Sequence, residues 1–285
     1  KKAASVTPAA GQHKTYGDAD PALSGSTSGF LAADGVTASY SRAAGETVAG
    51  GPYHITATLG AGAGVLDNYI ITNAGADFSI AKRAATWTTD PNSKTLGAAD
   101  PNPLTTGKGT FRAADGVTAM YSRAPGENIG AYHITATLSA SVSGALGNYT
   151  VTNDGNNFSI LYASSGMCLG EPGHGVLQPI NADGSSVFKQ GSTVPAKFRV
   201  CDANGNSVGT AGVVASFKLV RTTASAGALD ESVVSTTPDT DFRWSATDQQ
   251  WIFNMGSKSL KANTTYYYDI TLQDGTHILF NFGLK

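Results

Sequence analysis

Apolar and polar residues alternate along most of the chain. Residues 36–41 place Val, Ala and Tyr on one face and Thr and Ser on the other, and residues 53–59 repeat that alternation. A period of two is typical of half-buried strands, and turn signals such as Asp34-Gly35 separate the segments. Since no window has a helical period, the pattern predicts an all-β chain of short strands.

The alternating segments occur twice. LAADGVTASYSRAAGE at 31–46 returns as RAADGVTAMYSRAPGE at 112–127, identical at 13 of 16 positions, and YHITATL occurs at 53–59 and 132–138. The stretch contains turns and a strand but no group arranged for reaction, so we expect it to recur because a fold recurs. The repeats predict two β-sandwich domains of about 80 residues each, 1–82 and 83–161.

After residue 161 a short linker leads to an unrelated segment. Its apolar runs predict strands at 194–200, 213–220, 251–255, 266–272 and 277–284, the last with one apolar face formed by Ile278, Phe280, Phe282 and Leu284. We therefore expect a third β-sandwich over 166–285. The whole chain would then be three tandem Ig-like β-sandwich domains in an extended rod of about 100 Å, since almost no residues separate the two repeats.

Each segment resembles a known family. KTYGDADPAL at 14–23, followed by GFLAADGVTASYSRAAGE and an ending with NY and FSI, resembles the MBG repeat of the YGX type found in bacterial adhesin-like surface proteins. The second copy departs from that motif, because Leu96 replaces Tyr16 and Ala98 replaces Asp18. VPAKF at 194–198, FRWSATDQQWIFNMGSKSL and DGTHILFNFGLK resemble the PxKF domain, which implies secretion and an Ig-like fold.

Composition excludes several partners. The 285 residues are only 14% charged, with a net charge of −2, whereas a typical protein is roughly 25% charged. Such a chain offers no basic field for nucleic acid, and no apolar run is long enough for membrane insertion. The two cysteines, Cys168 and Cys201, fit one structural disulfide formed in an oxidising compartment, although two unconnected buried thiols are the alternative.

Several residues were weighed for chemistry, and for each a structural role is the simpler interpretation. Carboxylates beside Gly or Pro could bind calcium but fit turns better; they are Asp18, Asp20, Asp34, Asp100 and Asp115. The histidines lack metal-ligand spacing and are expected on strands; they are His13, His54, His133, His174 and His277. Asp239, Asp241 and Asp248 are candidates for a glycosidase pair. Lys14 and Lys94, with Asn68 and Asn148, are candidates for an isopeptide cross-link. Thr56, Thr58, Thr135 and Thr137 are candidates for an ice-binding face.

The sequence therefore favours a protein that is not an enzyme and needs no cofactor. We expect a secreted or cell-surface structural protein, the rigid stalk or terminal segment of a bacterial adhesin-like protein. Its partners would be copies of itself or other components of the cell surface and extracellular matrix. One alternative is a filament or sheath subunit whose open edge includes Lys2, Ala4 and Val6. Another is a carbohydrate-binding module that uses Tyr267.

Overall fold

A computed structural model of the chain describes residues 1–223, 231–232, 239 and 241–285. It is all-β, as predicted, and the described helical elements are four short 3-10 turns, Ala32–Asp34, Leu66–Asn68, Ala113–Asp115 and Ala145–Asn148. Within the described ranges no helix has the length and apolar character needed to cross a bilayer.

The first repeat is a sandwich of two sheets. Its strands are β1 (Lys2–Pro8), β2 (Gln12–Thr15), β3 (Gly25–Ser28), β4 (Thr37–Arg42), β5 (Tyr53–Gly60), β6 (Tyr69–Asn73) and β7 (Ala76–Ala81). They form the sheets β3-β1-β6 and β2-β7-β5-β4. The alternating pattern determines the core, because Val6, Ile55, Phe78 and Ile80 point inward and are buried.

Strand β1 lies in the middle of its sheet. Ser5–Pro8 pair antiparallel with β3, and Lys2–Val6 pair parallel with β6. Ala4 and Val6 are buried. β1 is paired on both sides at Ser5 and Val6, so the prediction of an open assembly edge is wrong for Val6. Lys2 and Ala4 pair with β6 alone, and for these two residues the edge stays a prediction.

The second repeat has the same strand orders. Its strands are β8 (Arg83–Thr89), β9 (Asn92–Thr95), β10 (Gly107–Gly109), β11 (Val117–Arg123), β12 (Gly130–Ala140), β13 (Tyr149–Thr152) and β14 (Asn156–Leu161). The sheets are β10-β8-β13 and β11-β12-β14-β9. Corresponding strands of the two repeats therefore take the same places in their sheets, as the predicted copying of one fold requires.

By the density of contacts, the chain divides into two compact units. One comprises residues 1–90, 106–121 and 136–155, and the other comprises residues 91–105, 122–135 and 156–285. The first unit thus holds all of the first repeat and part of the second, and the other unit holds the remainder. The domain bounds 1–82, 83–161 and 166–285 stay a prediction.

The C-terminal segment contains the remaining strands. They are β15 (Met167–Cys168), β16 (Glu171–Pro172), β17 (Gly175–Leu177), β18 (Val187–Phe188), β19 (Thr193–Arg199), β20 (Val214–Thr222), β21 (Glu231–Ser232), β22 (Arg243–Ser245), β23 (Gln250–Gly256), β24 (Thr264–Leu272) and β25 (His277–Leu284). The two larger sheets are β17-β19-β23-β22 and β18-β25-β24-β20-β21. The apolar face predicted for the last strand is confirmed, since its four residues from Ile278 to Leu284 are all buried.

Cys168 and Cys201 form a disulfide, as predicted. Their Cα atoms are 5.8 Å apart, and the bond ties β15 to the residue that closely follows β19. Ala163 forms an isolated β-bridge with Cys201, and its N–H donates to the Cys201 carbonyl at 2.9 Å. The disulfide therefore fixes the chain just where it enters the C-terminal segment.

Candidate functional site

A connected set of polar contacts holds the junction between the two repeats. Only Lys82 separates β7 from β8. Arg83, the first residue of β8, donates from Nε to the Tyr16 carbonyl at 2.7 Å and forms an ion pair with Asp18. The Arg83 side chain thus binds both a backbone carbonyl and a side chain of the Tyr16-Gly17-Asp18 turn. These contacts hold the turn against the start of the next repeat.

Tyr16 itself enters a socket built by the second repeat. Its hydroxyl donates to Oδ1 of Asp115 at 2.9 Å, while the hydroxyl of Tyr149 donates to Oδ2 of the same carboxylate. The two rings meet edge to face with centroids 5.4 Å apart. The Arg112 guanidinium lies 5.3 Å from the centroid of the Tyr16 ring. One carboxylate therefore accepts from two tyrosines, and a cation covers the ring of one of them.

The carboxylate that the two tyrosines share is buried. Asp115 is only 3% exposed. Burial and the hydrogen bond to Asp115 raise the pKa of both Tyr16 and Tyr149. Both phenols are therefore neutral donors at physiological pH, which is the state that a buried carboxylate requires of its partners.

Two glycines allow the close approach. Asp115 ends the 3-10 turn Ala113–Asp115, and Gly116 follows with a φ of 57°. Gly17 has a φ of 83°, and a Cβ there would lie 2.5 Å from the Arg112 side chain. A residue with a side chain at position 17 would be strained and would also displace the arginine, which explains why glycine follows Tyr16.

A second contact lies beside the socket. The backbone N–H of Val48 donates to the side-chain oxygen of Asn148 at 2.8 Å. Asn148 is buried, and Val48 packs against the cluster that contains Tyr16 and Tyr149. The first repeat thus contacts the second through two of its loops.

The turn that replaces this motif in the second repeat contacts a different neighbour. Leu96 N–H donates to the Leu161 carbonyl at 2.8 Å, as Tyr16 N–H donates to Ala81 at 2.9 Å, so the backbone is the same. The Leu96 carbonyl, however, accepts from Ala203 N–H at 2.8 Å, and its side chain packs against the apolar core of the C-terminal segment. An apolar neighbour therefore explains the leucine.

The ionic partners change together with the tyrosine. By the repeat alignment, Ala98 stands where Asp18 stands in the first copy, and Ala163 stands where Arg83 does. Both members of the Asp18–Arg83 pair are thus absent at the second junction. The paired absence of counterparts to Asp18 and Arg83 is visible in the sequence, but the sequence does not show that the two residues meet.

Each repeat also contains a four-residue ion-pair network that sequence reasoning missed. In the first repeat Lys14 contacts Asp20 at 2.7 Å and also pairs with Glu46, while Arg42 contacts Asp20 at 2.6 Å and Glu46 at 2.5 Å. The second repeat has the same network, formed by Lys94, Asp100, Arg123 and Glu127. The recurrence of all four residues at matching positions could have revealed it.

The network fixes the charge states of its members. Hydrogen bonds from Arg42 lower the pKa of Asp20 to about 2, and hydrogen bonds from Arg123 do the same for Asp100. The hydrogen bond from Lys14 lowers the pKa of Glu46. Burial alone would lower the pKa of Lys14, but its two carboxylate partners raise it overall. The Arg42 guanidinium also lies 5.0 Å from the Phe78 ring centroid, so the network caps the core.

These contacts account for the carboxylates considered for calcium. Asp20 and Asp100 belong to the networks, Asp18 pairs with Arg83, and Asp115 and Asp34 accept hydrogen bonds from tyrosines. All five lie in or next to turns, but their side chains bind cations or phenols, in place of the Asx-turn role that was expected. Among the described residues no group of three or more His, Cys, Asp or Glu could hold a metal ion.

The lysines and asparagines considered for a cross-link are placed differently. The Lys14 and Lys94 amines contact carboxylates in the two networks. Asn148 accepts from Val48, and Asn68 is exposed. Each lysine is therefore an ion-pair partner in this structure.

The histidines and the remaining acids have local roles. His54 and His133 are exposed on strands as expected, and Nδ1 of His277 lies 2.9 Å from Asp269. For His174 the expectation of a strand position is wrong, because it lies in the turn between β16 and β17 with a φ of 59° and is half-buried. Burial lowers the pKa of His174. Asp239, Asp241 and Asp248 hydrogen-bond nearby loop and strand groups, namely Asn254 N–H, Phe242 N–H and the Ser245 hydroxyl. The threonines Thr56, Thr58, Thr135 and Thr137 are exposed strand residues.

An arginine covers one face of the Tyr267 ring. It is half-buried, and the Arg221 guanidinium lies 3.8 Å from its ring centroid. A sugar stacking on that face would first have to displace the arginine. The basis on which Tyr267 was expected to bind carbohydrate is therefore lost.

Comparison with known proteins gives one family. The model of the MBG domain (YGX type) matches residues 4–79 and again residues 85–159. No curated protein matches the chain.

Among solved structures the chain is similar to Drosophila N-cadherin EC1-4, with 7% identity over 100% of this chain and 76% of that one and a TM-score of 0.25. It is also similar to the Bacteroides ovatus mixed-linkage glucan utilization locus SGBP-B in complex with mixed-linkage heptasaccharide, with 9% identity, 88% and 60% coverage and a TM-score of 0.20. A third similar structure is the protocadherin gammaB7 EC3-6 cis-dimer, with 9% identity, 99% and 77% coverage and a TM-score of 0.21. TM-scores this low carry no argument about function.

Proposed function

Since the chain belongs to the MBG domain family of the YGX type, we propose that it is the rigid stalk or terminal segment of a bacterial adhesin-like surface protein. MBG repeats are structural, adhesin-like domains, and membership of the family indicates an extracellular or surface protein. In a stalk, function depends on the spacing between domains and not on a chemical reaction.

The junction between the repeats is the observation that carries this proposal. A connection with one residue between strands, an Asp18–Arg83 ion pair and a tyrosine bonded to a buried carboxylate all oppose bending. A protein that needed independent domains would be expected to have a Gly- or Pro-rich linker there.

The disulfide supports a location outside the reducing cytoplasm. Disulfides persist in secreted and surface proteins and are rare where thiols are kept reduced. We further propose that residues 166–285 are a PxKF domain. Pro195, Lys197 and Phe198 of the motif lie in β19, where Phe198 is buried in the core and the strand pairs with β23.

Other copies of the protein, or other components of the cell surface and matrix, remain the proposed partners. The filament alternative loses its support at Val6, which is paired on both sides, and rests only on Lys2 and Ala4, which pair with β6 alone. The carbohydrate alternative is not retained, because Arg221 covers one face of the ring on which it relied.

Small-angle scattering of the wild type and two variants tests the stalk role. One variant carries Tyr16→Ala. The other has a four-residue segment of Gly and Ser inserted between Ala81 and Lys82. A stalk predicts a wild-type maximum dimension of about 100 Å, with a broader distance distribution in both variants as the junction loosens. A compact wild-type profile, or three identical profiles, would reject it. Antibody labelling of intact cells of the source bacterium tests surface display separately.

A further inference from the structure

The first repeat carries its own version of the socket that Tyr16 fills in the second repeat. The Tyr69 hydroxyl donates to Oδ2 of Asp34, as the Tyr149 hydroxyl donates to Asp115. The backbone N–H of Leu31 donates to the Tyr69 hydroxyl at 3.0 Å. The backbone N–H of Arg112 donates to the Tyr149 hydroxyl in the same way, at 3.1 Å.

The aromatic wall of the socket is repeated too. Phe30 and Tyr69 have ring centroids 4.9 Å apart, the same spacing as Phe111 and Tyr149. The carboxylate and the aromatic wall that receive Tyr16 are therefore present in both copies, while Leu31 stands in place of Arg112, whose guanidinium lies over the Tyr16 ring.

A cation stands at the corresponding place in the first repeat. Lys2 pairs with Tyr69 in the parallel register of β1 and β6, and Arg83 pairs with Tyr149 in the same register of β8 and β13. Since Arg83 neutralises Asp18, Lys2 is positioned to neutralise the acid of a similar turn. The socket and a Tyr-Gly-Asp turn are thus complementary in charge as well as shape.

Burial differs between the two sockets in the way that occupancy predicts. Asp115 and Asn148, which contact the first repeat, are 3% and 4% exposed. Their counterparts Asp34 and Asn68 are half-buried and exposed. Leu31 and Ile70, which adjoin Phe30 and Tyr69 in the chain, are 53% and 63% exposed.

We propose that Lys2, Phe30, Asp34, Asn68 and Tyr69 form a docking socket for the Tyr-Gly-Asp turn of another MBG repeat joined to this one head to tail. The incoming tyrosine donates to Oδ1 of Asp34, and Lys2 pairs with the aspartate of the turn. Asn68 accepts a backbone N–H, as Asn148 accepts that of Val48.

The socket is selective. A Leu-Gly-Ala turn such as that at 96–98 cannot donate to Asp34 or pair with Lys2, so it is not an occupant. This inference goes beyond the stalk role, because it holds wherever the protein is displayed.

The test adds a repeat in register. Residues 1–81 are placed ahead of residue 1 of the full chain, so that Lys1 and Lys2 take the places of Lys82 and Arg83. Asn68→Cys is introduced in the original first repeat, and its labelling by a thiol reagent is compared with and without the added repeat. We expect labelling to slow by about tenfold or more, since it then requires the interface to open. Thr56→Cys, on an exposed strand position of the same repeat, is the control and should label equally in both proteins.

A second variant separates docking from mere proximity. The added repeat carries Tyr16→Leu and Asp18→Ala, which reproduces the turn of the second copy. Fast labelling of Asn68→Cys should return if the tyrosine and the acid are recognised. Equal labelling with and without the added repeat, or protection that survives this double change, would overturn the proposal. Protection of the unextended chain that rises with its concentration would also overturn it, because the occupant would then be a separate molecule.

Discussion

Tyr16 and Asp115 lie 99 residues apart in the chain, yet the tyrosine hydroxyl donates to the aspartate at 2.9 Å across the junction of the two repeats. The bond is buried, and Asp115 also accepts from Tyr149. Tyr16 is the first residue of the Tyr-Gly-Asp turn in the repeat motif. A motif residue of the first repeat therefore binds the second repeat. The stability of this junction can be tested residue by residue.

Removing one hydroxyl should weaken the junction measurably. Tyr16→Phe leaves the ring in its socket but deletes the donor to the buried Asp115 carboxylate, so we expect a loss of about 1.5–3 kcal/mol in the free energy of unfolding. Chemical denaturation followed by tyrosine fluorescence measures it. Tyr40→Phe removes a half-buried tyrosine hydroxyl of the same repeat and is the control, with a smaller expected change. Equal losses in the two variants would contradict the role of the Tyr16 hydroxyl.

The carboxylate should matter more where it serves two tyrosines. Asp115→Asn removes the charge from both hydrogen bonds and leaves one acceptor oxygen, so one phenol faces an amide donor, and we expect a loss of about 1–3 kcal/mol. Asp34→Asn is the matched control, because Asp34 accepts from Tyr69 alone among the tyrosines described. We expect the control to lose less. Calorimetry of both variants checks this, and a larger loss for Asp34→Asn would count against the shared-acceptor account.

Exchanging the two turn residues should destabilise both junctions. Tyr16→Leu leaves the buried Asp115 with one donor fewer, and Leu96→Tyr forces a larger, polar side chain against the apolar core that Leu96 contacts. Each should cost about 1–3 kcal/mol, although the double variant keeps the composition unchanged. Thermal unfolding of both single variants and of the double variant measures the effect. A double variant as stable as the wild type would show that the turns do not distinguish their neighbours.

Acid should weaken the repeats in a defined range of pH. The folded-state pKa of Asp20 and Asp100 is about 2, below the unfolded value. Such groups stabilise the fold above the unfolded pKa of about 4, and that contribution is lost as the pH falls towards 2. Denaturant titrations from pH 6 to pH 2 should show the decline.

The control for acid is a variant in which both carboxylates are neutral. Asp20→Asn with Asp100→Asn removes the titrating groups while keeping their size. Its stability should depend less on pH over the same range. If the variant and the wild type decline in parallel, the networks are not responsible.

Loss of the disulfide should affect the C-terminal segment. Cys168 and Cys201 close a loop with a sequence separation of 33, and the chain-entropy model gives about 3–4 kcal/mol for such a loop. Cys168→Ser with Cys201→Ser should lower the unfolding midpoint reported by Trp244 and Trp251, which lie in β22 and β23. A midpoint unchanged by the double substitution would contradict this expectation.

The control is a signal from the first unit, which contains neither cysteine. Tyr16 and Tyr149 in the first unit should report an unchanged midpoint in the same double variant. A parallel loss there would mean that the disulfide supports the chain as a whole.

The strands could be predicted because their signal is local. A period of two places every second side chain in the core, so β5 and β25 follow directly from the letters of YHITATL and HILFNFGL. The ion-pair networks could have been predicted from the recurrence of Lys14, Asp20, Arg42 and Glu46, but nothing in the local sequence brings those four residues together. Strand pairing does that, and it depends on contacts distant in sequence.

By itself, the sequence determined the all-β class and the copied fold, because alternation and internal identity need no knowledge of distant contacts. It limited a disulfide to one pair of cysteines, and the structure showed that the bond forms. Tertiary structure decided where β1 lies, and it turned an expected free edge into a central strand. It also decided what Tyr16 and Leu96 do. The environment that each meets is built by residues far along the chain, and hydrogen bonding and burial depend on that environment.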